Sequence, residues 1–261
     1  TSQKITEIKT YKKLDKCNLE KYDYIIISSP TNRHYEELKY IDKNCKNKIV
    51  LVEKPIFMDN QRLKIKNNKV YVGYCLRFTK ILNKIKSLIN NQEVLTVNVY
   101  AGSYLPNWRK GIDYSKRYSA FKNQGGGVLL DLSHEIDYLR WIFGELKNIK
   151  SVSRKVSNLN IDSDDFMSLI AYSNNTLINC TLDYFSKIPK RDILIQTNEF
   201  TISANMISGM IKCVNNVGKE KKFIFKNDIQ VAYKKMHKNI LKNQMGKFCT
   251  YKDGIKTLKI I

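Results

Sequence analysis

Tyr24-Ile25-Ile26-Ile27-Ser28-Ser29-Pro30-Thr31-Asn32-Arg33-His34 (residues 24–34) is a short continuous apolar run that stops at a proline and opens into a helical pattern. From His34 to Asn44, Leu38 and Ile41 recur at helical spacing, and Lys48 to Glu53 is a second apolar run, closed by Pro55. Strand, helix and strand in this order predict a right-handed βαβ crossover. Near-continuous apolar strands predict a parallel sheet covered on both faces. A short polar helix and a third strand, Val70 to Tyr74, are expected to extend it, so the first part of the chain reads as α/β and doubly wound.

Outward from this unit the pattern changes. Leu95, Val97, Val99 and Ala101 alternate with Thr96, Asn98 and Tyr100, and Ile178, Cys180, Leu182 and Tyr184 alternate with Asn179, Thr181 and Asp183. Period two marks strands with one buried face, and further strands are expected near 147–156, 165–172, 191–197, 199–204 and 208–226. Gly127 to Phe143 predicts one long apolar helix between the first two strands. A last amphipathic helix, capped by Asp228, presents Ile229, Ala232, Tyr233, Met236, Ile240 and Leu241 and should return to the first domain. The expected fold is α/β + α+β, a parallel sheet followed by a mostly antiparallel open sheet. Its divisions are 1–91, 92–226 and 227–261.

Composition narrows the function classes. The 261 residues carry 46 Lys plus Arg against 24 Asp plus Glu, a formal charge of +22. Only eight of the basic residues are Arg, and lysines run through every segment. Two readings stand: a solvated lysine coat, which the even spread favours, and a dedicated polyanion patch, which specific readers build from clustered Arg. No specific nucleic-acid partner is expected, although the charge leans toward an anionic small substrate. Apolar runs stop far short of the roughly 18 residues that cross a bilayer. No membrane partner is expected, and the location is read as cytoplasmic. Cys17, Cys45, Cys75, Cys180, Cys213 and Cys249 form no CxxC pair and the three histidines are dispersed, so neither a disulfide framework nor a metal site is expected.

Ligands of doubly wound sheets bind beyond the carboxyl ends of the strands. The first strand end offers Ser28 to His34, either a phosphate- or ribose-binding helix start or a plain turn capped by Thr31 or Asn32. The second offers Glu53-Lys54-Pro55, with Lys54 either solvated or partly desolvated for catalysis. The third candidate is the run from Gly125 to Asp137, in which Asp131 and Asp137 flank His134 at about 60° around an ideal helix. His134 is either a core residue or a general base beside a carboxylate.

Together, "DYIIISSPTNRH" (23–34), "VEKP" (52–55), "GYCLRF" (73–78) and "GGGVLLDLSHEIDYLRWIFG" (125–144) resemble the Gfo/Idh/MocA oxidoreductases in order and spacing. The resemblance implies an incomplete Rossmann-like first domain and a sheet domain for substrate binding and oligomerisation. It also implies hydride transfer between NAD or NADP and a sugar or nucleotide-sugar alcohol, with a homo-oligomer, dimer or tetramer, as the assembly. "YLPNWRKGIDYSKRYSA" (104–120) resembles a branch of surface-polysaccharide metabolism. By resemblance Lys54 polarises the reacting oxygen, His134 is the base and Asp131 its helper. Ser29, Pro30, Thr31, Asn32 and His34 line the cofactor, and Glu53 and Pro55 shape the turn that aims Lys54. Arg77, Trp108, Arg109, Tyr114 and Asp137 are the substrate candidates.

The sequence departs from the family pattern twice. Leu130 stands where the family often has an acid, four residues before the helix histidine, with Asp131 next to it. The first glycine is Gly73, so the family's GxGxxG turn is not among these residues. The chain thus resembles an enzyme without its cofactor-anchoring start, truncated or a fragment, with impaired cofactor binding. The alternative expectation is a noncatalytic remnant that binds a sugar or a partner.

Overall fold

A computed structural model of the chain describes residues 10–226, 228–242 and 246–261. The first sheet is built from β1 (Tyr24–Ile27), β2 (Ile49–Val52) and β3 (Lys69–Val72), all parallel. A two-residue strand near the carboxyl terminus, described below, pairs antiparallel with β3. α1 (His34–Asn44) joins β1 to β2. Its Glu36 and Glu37 lie in the first turn, where carboxylates favour the helix dipole, and Leu38 and Ile41 pack on the sheet beside Ile25, Ile27 and Val50.

The expected polar helix between β2 and β3 does not form. Residues 57–68 run as irregular chain, held by Asp42, whose carboxylate accepts from Lys66 N, Asn67 N and Asn68 Nδ2. A carboxylate one helix away supplies these partners in place of helical hydrogen bonds.

α2 (Lys80–Leu88) follows, and its Ile81, Leu82 and Ile85 join the core of the second sheet. That sheet has eight strands: β4 (Val94–Gly102), β5 (Lys147–Arg154), β6 (Phe166–Ser173), β7 (Thr176–Asp183), β8 (Lys190–Thr197), β9 (Phe200–Asn205), β10 (Met210–Asn215) and β11 (Glu220–Ile224). Their order is β11-β10-β9-β8-β4-β7-β6-β5. Every neighbouring pair is antiparallel except β4 with β7. The alternation read in the sequence sets the faces: Val97, Val99, Ile178, Cys180, Ile193 and Ile195 are buried, while Asn98, Asn179 and Leu194 point to the other side.

The long helix expected over Gly127 to Phe143 is two helices, α3 (Val128–Asp131) and α4 (His134–Phe143). Leu132 leaves the helical region at φ −99°, ψ 25° between them. The chain ends with α5 (Ile229–Leu241), β12 (Cys249–Thr250) and α6 (Tyr251–Leu258). Asp228 caps α5, and Thr250 with Asp253 forms a capping box on α6. α5 covers the face of the first sheet opposite α1, setting Ala232, Met236 and Ile240 against Leu51 and Tyr71.

Candidate functional site

The carboxyl ends of β1 and β2 meet α3 and α4 of the second domain, and Lys54 crosses the junction. Its Nζ donates to the Asp131 carbonyl at 2.6 Å. Beside it, His134 opens α4 and is 9% exposed. The Tyr74 ring meets it edge-on, with centroids 5.5 Å apart. The imidazole Nδ1 is buried without a hydrogen-bond partner, and Nε2 has none among the described residues either. Burial first, then the Lys54 and Arg191 cations, hold the His134 pKa well below its ordinary value. The imidazole is therefore neutral near pH 7 and able to take a proton.

Asp131 faces elsewhere. Its Oδ1 accepts from Tyr118 OH at 2.8 Å and its Oδ2 from Tyr184 OH at 2.6 Å. The break between α3 and α4 removes the 60° relation that an unbroken helix would have given it with His134, and its carboxylate organises two phenols. Burial chiefly, and the Asp131 charge next, raise the pKa of both phenols, so they stay protonated donors.

Asp137 and Arg77 find each other. Arg77 donates from Nε at 2.8 Å and from Nη2 at 2.6 Å to the two oxygens of Asp137, and both side chains are buried. Arg77 also reaches the Phe248 carbonyl, so the pair ties the turn after β3 to α4 and to the carboxyl-terminal chain.

The strand-end residues hold one another in place. Ser29 Oγ donates to Glu37 at 2.7 Å, and Asn32 Nδ2 donates to the Asn123 carbonyl at 3.4 Å, across the domain junction. The His34 ring lies between the Ser29 carbonyl, 2.9 Å from Nε2, and the Pro55 carbonyl, 3.0 Å from Nδ1, which locks the two turns together. Thr31 is buried against Gly125. Pro30 begins the turn before α1, and Pro55 is buried behind Lys54. Glu53 turns back toward Gly73, where an added Cβ would sit 2.9 Å from Oε2, and burial raises the pKa of its carboxyl.

Trp108, Arg109 and Tyr114 line a separate small hollow next to Tyr118, of about 40 Å³. Among the described residues no group of three or more His, Cys, Asp or Glu side chains could hold a metal ion, and no helix is long and apolar enough to cross a membrane.

With the geometry fixed, the chain can be compared with other proteins. Residues 82–204 match the family model of the GFO/IDH/MocA C-terminal domain. That stretch, most of the second domain, is similar to this C-terminal domain. The fold extends across both domains to solved structures of low identity. UDP-N-acetylglucosamine 3-dehydrogenase GnnA from Acidithiobacillus ferrooxidans superposes with a TM-score of 0.75 at 16% identity, covering 96% of this chain and 80% of that one. WlbA dehydrogenase from Bordetella pertussis, in complex with NADH and UDP-GlcNAcA, gives 0.68 at 14%, covering 90% and 73%. A super-repressor mutant of Gal80p from Saccharomyces cerevisiae gives 0.75 at 13%, covering 92% and 76%. No curated protein matches the chain in sequence.

Within the second domain, two partners of the site escaped sequence reasoning. Tyr184 looked like one more inward residue of a strand, and Tyr118 lay in a segment without periodicity. Arg191 is the third omission: it donates to the fully buried Glu135 at 2.6 and 3.2 Å and adds positive charge near His134. A lone buried glutamate on an apolar helix was its one sequence signal.

Proposed function

We propose that the chain carries the hydride-transfer site of a nicotinamide-dependent dehydrogenase acting on a secondary alcohol of a sugar or nucleotide sugar. The observation that carries this reading is the pairing of Lys54, held across the domain junction on the Asp131 carbonyl, with the neutral His134 imidazole of the facing domain. Lys54 has three N–H donors and uses one on Asp131, which leaves two for a substrate oxygen. A carbinol loses hydride only as its hydroxyl proton leaves, and His134 Nε2 receives that proton while Lys54 steadies the developing oxyanion.

The residues fit the nicotinamide end of NAD or NADP by the chemistry of their donors, the Lys54 amine just past a strand end and the neutral His134 imidazole at the start of the facing helix. Pro30, Thr31 and Asn32 would hold that end. When bound, the nicotinamide supplies the hydride acceptor. The glycine turn that grips a pyrophosphate is not among these 261 residues, whose first glycine is Gly73.

The test is nicotinamide reduction by the native polypeptide with UDP-N-acetylglucosamine and related sugars. Lys54→Ala and His134→Ala should each lower kcat at least about a hundredfold, with KM changing much less. Near-normal turnover in His134→Ala would remove it as the base.

A further inference from the structure

We propose that Tyr118 and Tyr184 are positioning residues for Lys54: through the Asp131 carboxylate they fix the backbone carbonyl on which Lys54 Nζ rests. This inference rests on the dehydrogenase reading above and adds to its site two side chains that act on Lys54 only through Asp131.

The carbonyl is available because the helix breaks. In an uninterrupted α-helix the Asp131 oxygen would accept from the amide four residues on, that of Glu135. Here Glu135 N donates to the Leu132 carbonyl at 3.2 Å, Leu132 having left the helical region at φ −99°, ψ 25°. The Asp131 oxygen released in this way accepts from Lys54 Nζ at 2.6 Å, a bond that joins the first domain to the second.

The other polar groups of Asp131 are engaged as well. Its amide donates to the Gly127 carbonyl at 3.0 Å, while Oδ1 accepts from Tyr118 OH at 2.8 Å and Oδ2 from Tyr184 OH at 2.6 Å. Asp131 is 6% exposed, so its carboxylate depends on these two donors. Both donors are held from elsewhere. The Tyr118 carbonyl accepts from Phe121 N at 2.9 Å. Tyr184, wholly buried just after β7, donates its amide to the Asp165 carbonyl at 2.9 Å, and Trp108 meets its ring edge-on at 5.2 Å. A phenol has one proton to give, and burial keeps that proton on both. Asp131 is thus pinned at its amide and at its carboxylate, and the carbonyl between them keeps its direction. A lysine stem has several rotatable bonds, so a fixed acceptor narrows where Nζ can stand, and a displacement of about 1 Å at a reacting group can cost about a hundredfold in rate.

Two readouts test this, one of them without turnover. In nitrogen NMR spectra of the lysine side chains, the Lys54 signal, identified by its loss in Lys54→Ala, should move in Tyr118→Phe and in Tyr184→Phe. It should stay in place in Tyr138→Phe, whose buried hydroxyl has no hydrogen-bond partner. In nicotinamide reduction with the sugar that the parent oxidises best, Tyr118→Phe and Tyr184→Phe should each lower kcat at least about tenfold with KM changing much less, and Tyr138→Phe should keep kcat within about twofold. On a Lys54→Ala background the same two substitutions should have no further effect, whereas a merely structural role would cost the same in both backgrounds. If Tyr184→Phe fails to fold, Tyr118→Phe, at a partly exposed position, decides alone. An unmoved Lys54 signal in the folded variants, the same movement in Tyr138→Phe, near-normal kcat in the two variants, or an equal loss on the Lys54→Ala background would overturn the proposal. A signal that moves as expected in a parent that oxidises no sugar would overturn the dehydrogenase reading alone.

Discussion

His134 is a base because its surroundings oppose a positive charge: it is buried, it faces Lys54 and Arg191, and its Nδ1 has no acceptor. The sign of the linked stability follows. A histidine with a lowered native pKa binds fewer protons folded than unfolded, so its contribution is present above its ordinary value of 6.5 and is lost as pH falls. His237, also lowered by burial, acts in the same direction. His134→Asn should therefore flatten the fall in melting temperature between about pH 7 and pH 5, measured by calorimetry. Parallel profiles for the two proteins would assign that slope to His237 and the acids. Arg77 raises the complementary case of a buried charge that is paired. Arg77→Ala strands the Asp137 carboxylate and should cost about 3–5 kcal/mol in urea unfolding. Replacing Arg77 with Met and Asp137 with Leu together should cost less than the single change, because no lone charge remains.

Between α3 and α4 lies the difference from the expected helix that matters most for chemistry. Gly127 holds φ at +118° and its Cα lies against the Asp164 carboxylate, which accepts from Leu129 N at 3.3 Å, while the Asp164 carbonyl accepts from Val128 N at 2.9 Å. A short first turn capped from another loop, followed by the Leu132 kink, sets Asp131 toward the tyrosines and His134 toward Lys54. Gly127→Ala should lose at least about 1–3 kcal/mol by unfolding, since it adds strain at a left-handed φ and a clash with Asp164. Stability equal to the parent would mean that the loop yields freely. The apolar period of this stretch was legible in the sequence; the break was not, because Asp164 comes from 35 residues away and local periodicity carries no trace of it. The same reason explains residues 57–68, where Asp42 replaced an expected helix with three hydrogen bonds to irregular chain.

Across the open face of the eight-stranded sheet, Ser203, Leu194, Asn98, Asn179 and Ile170 lie side by side in register, with Lys212 and then Lys222 at one end and Lys150 at the other. Ile170 is 49% exposed, and the middle of this row carries no charge although the molecule as a whole is strongly basic. A second copy of the chain is the proposed cover for this face, since exposed apolar side chains amid uncharged polar ones mark an association surface. Light scattering at tens of micromolar should show a dimer or larger. Ile170→Lys with Leu194→Lys should shift it to monomer with unchanged circular dichroism. A monomeric parent would end this reading.

Period and punctuation were enough to separate a parallel α/β unit from a mostly antiparallel sheet, and to place Lys54 at a strand end and His134 on a helix. Those properties depend on neighbours within a few residues, which is the range over which strand alternation and helical spacing act. Partnership was decided only by the folded chain. Arg77 and Asp137, both candidate substrate contacts by resemblance, are 60 residues apart and bond each other. Asp131, beside His134 in the sequence, instead takes Tyr118 and Tyr184 as partners. A side chain's hydrogen bonds are chosen by whatever donors the packing of distant elements brings within about 3 Å, and spacing along the chain does not encode that choice.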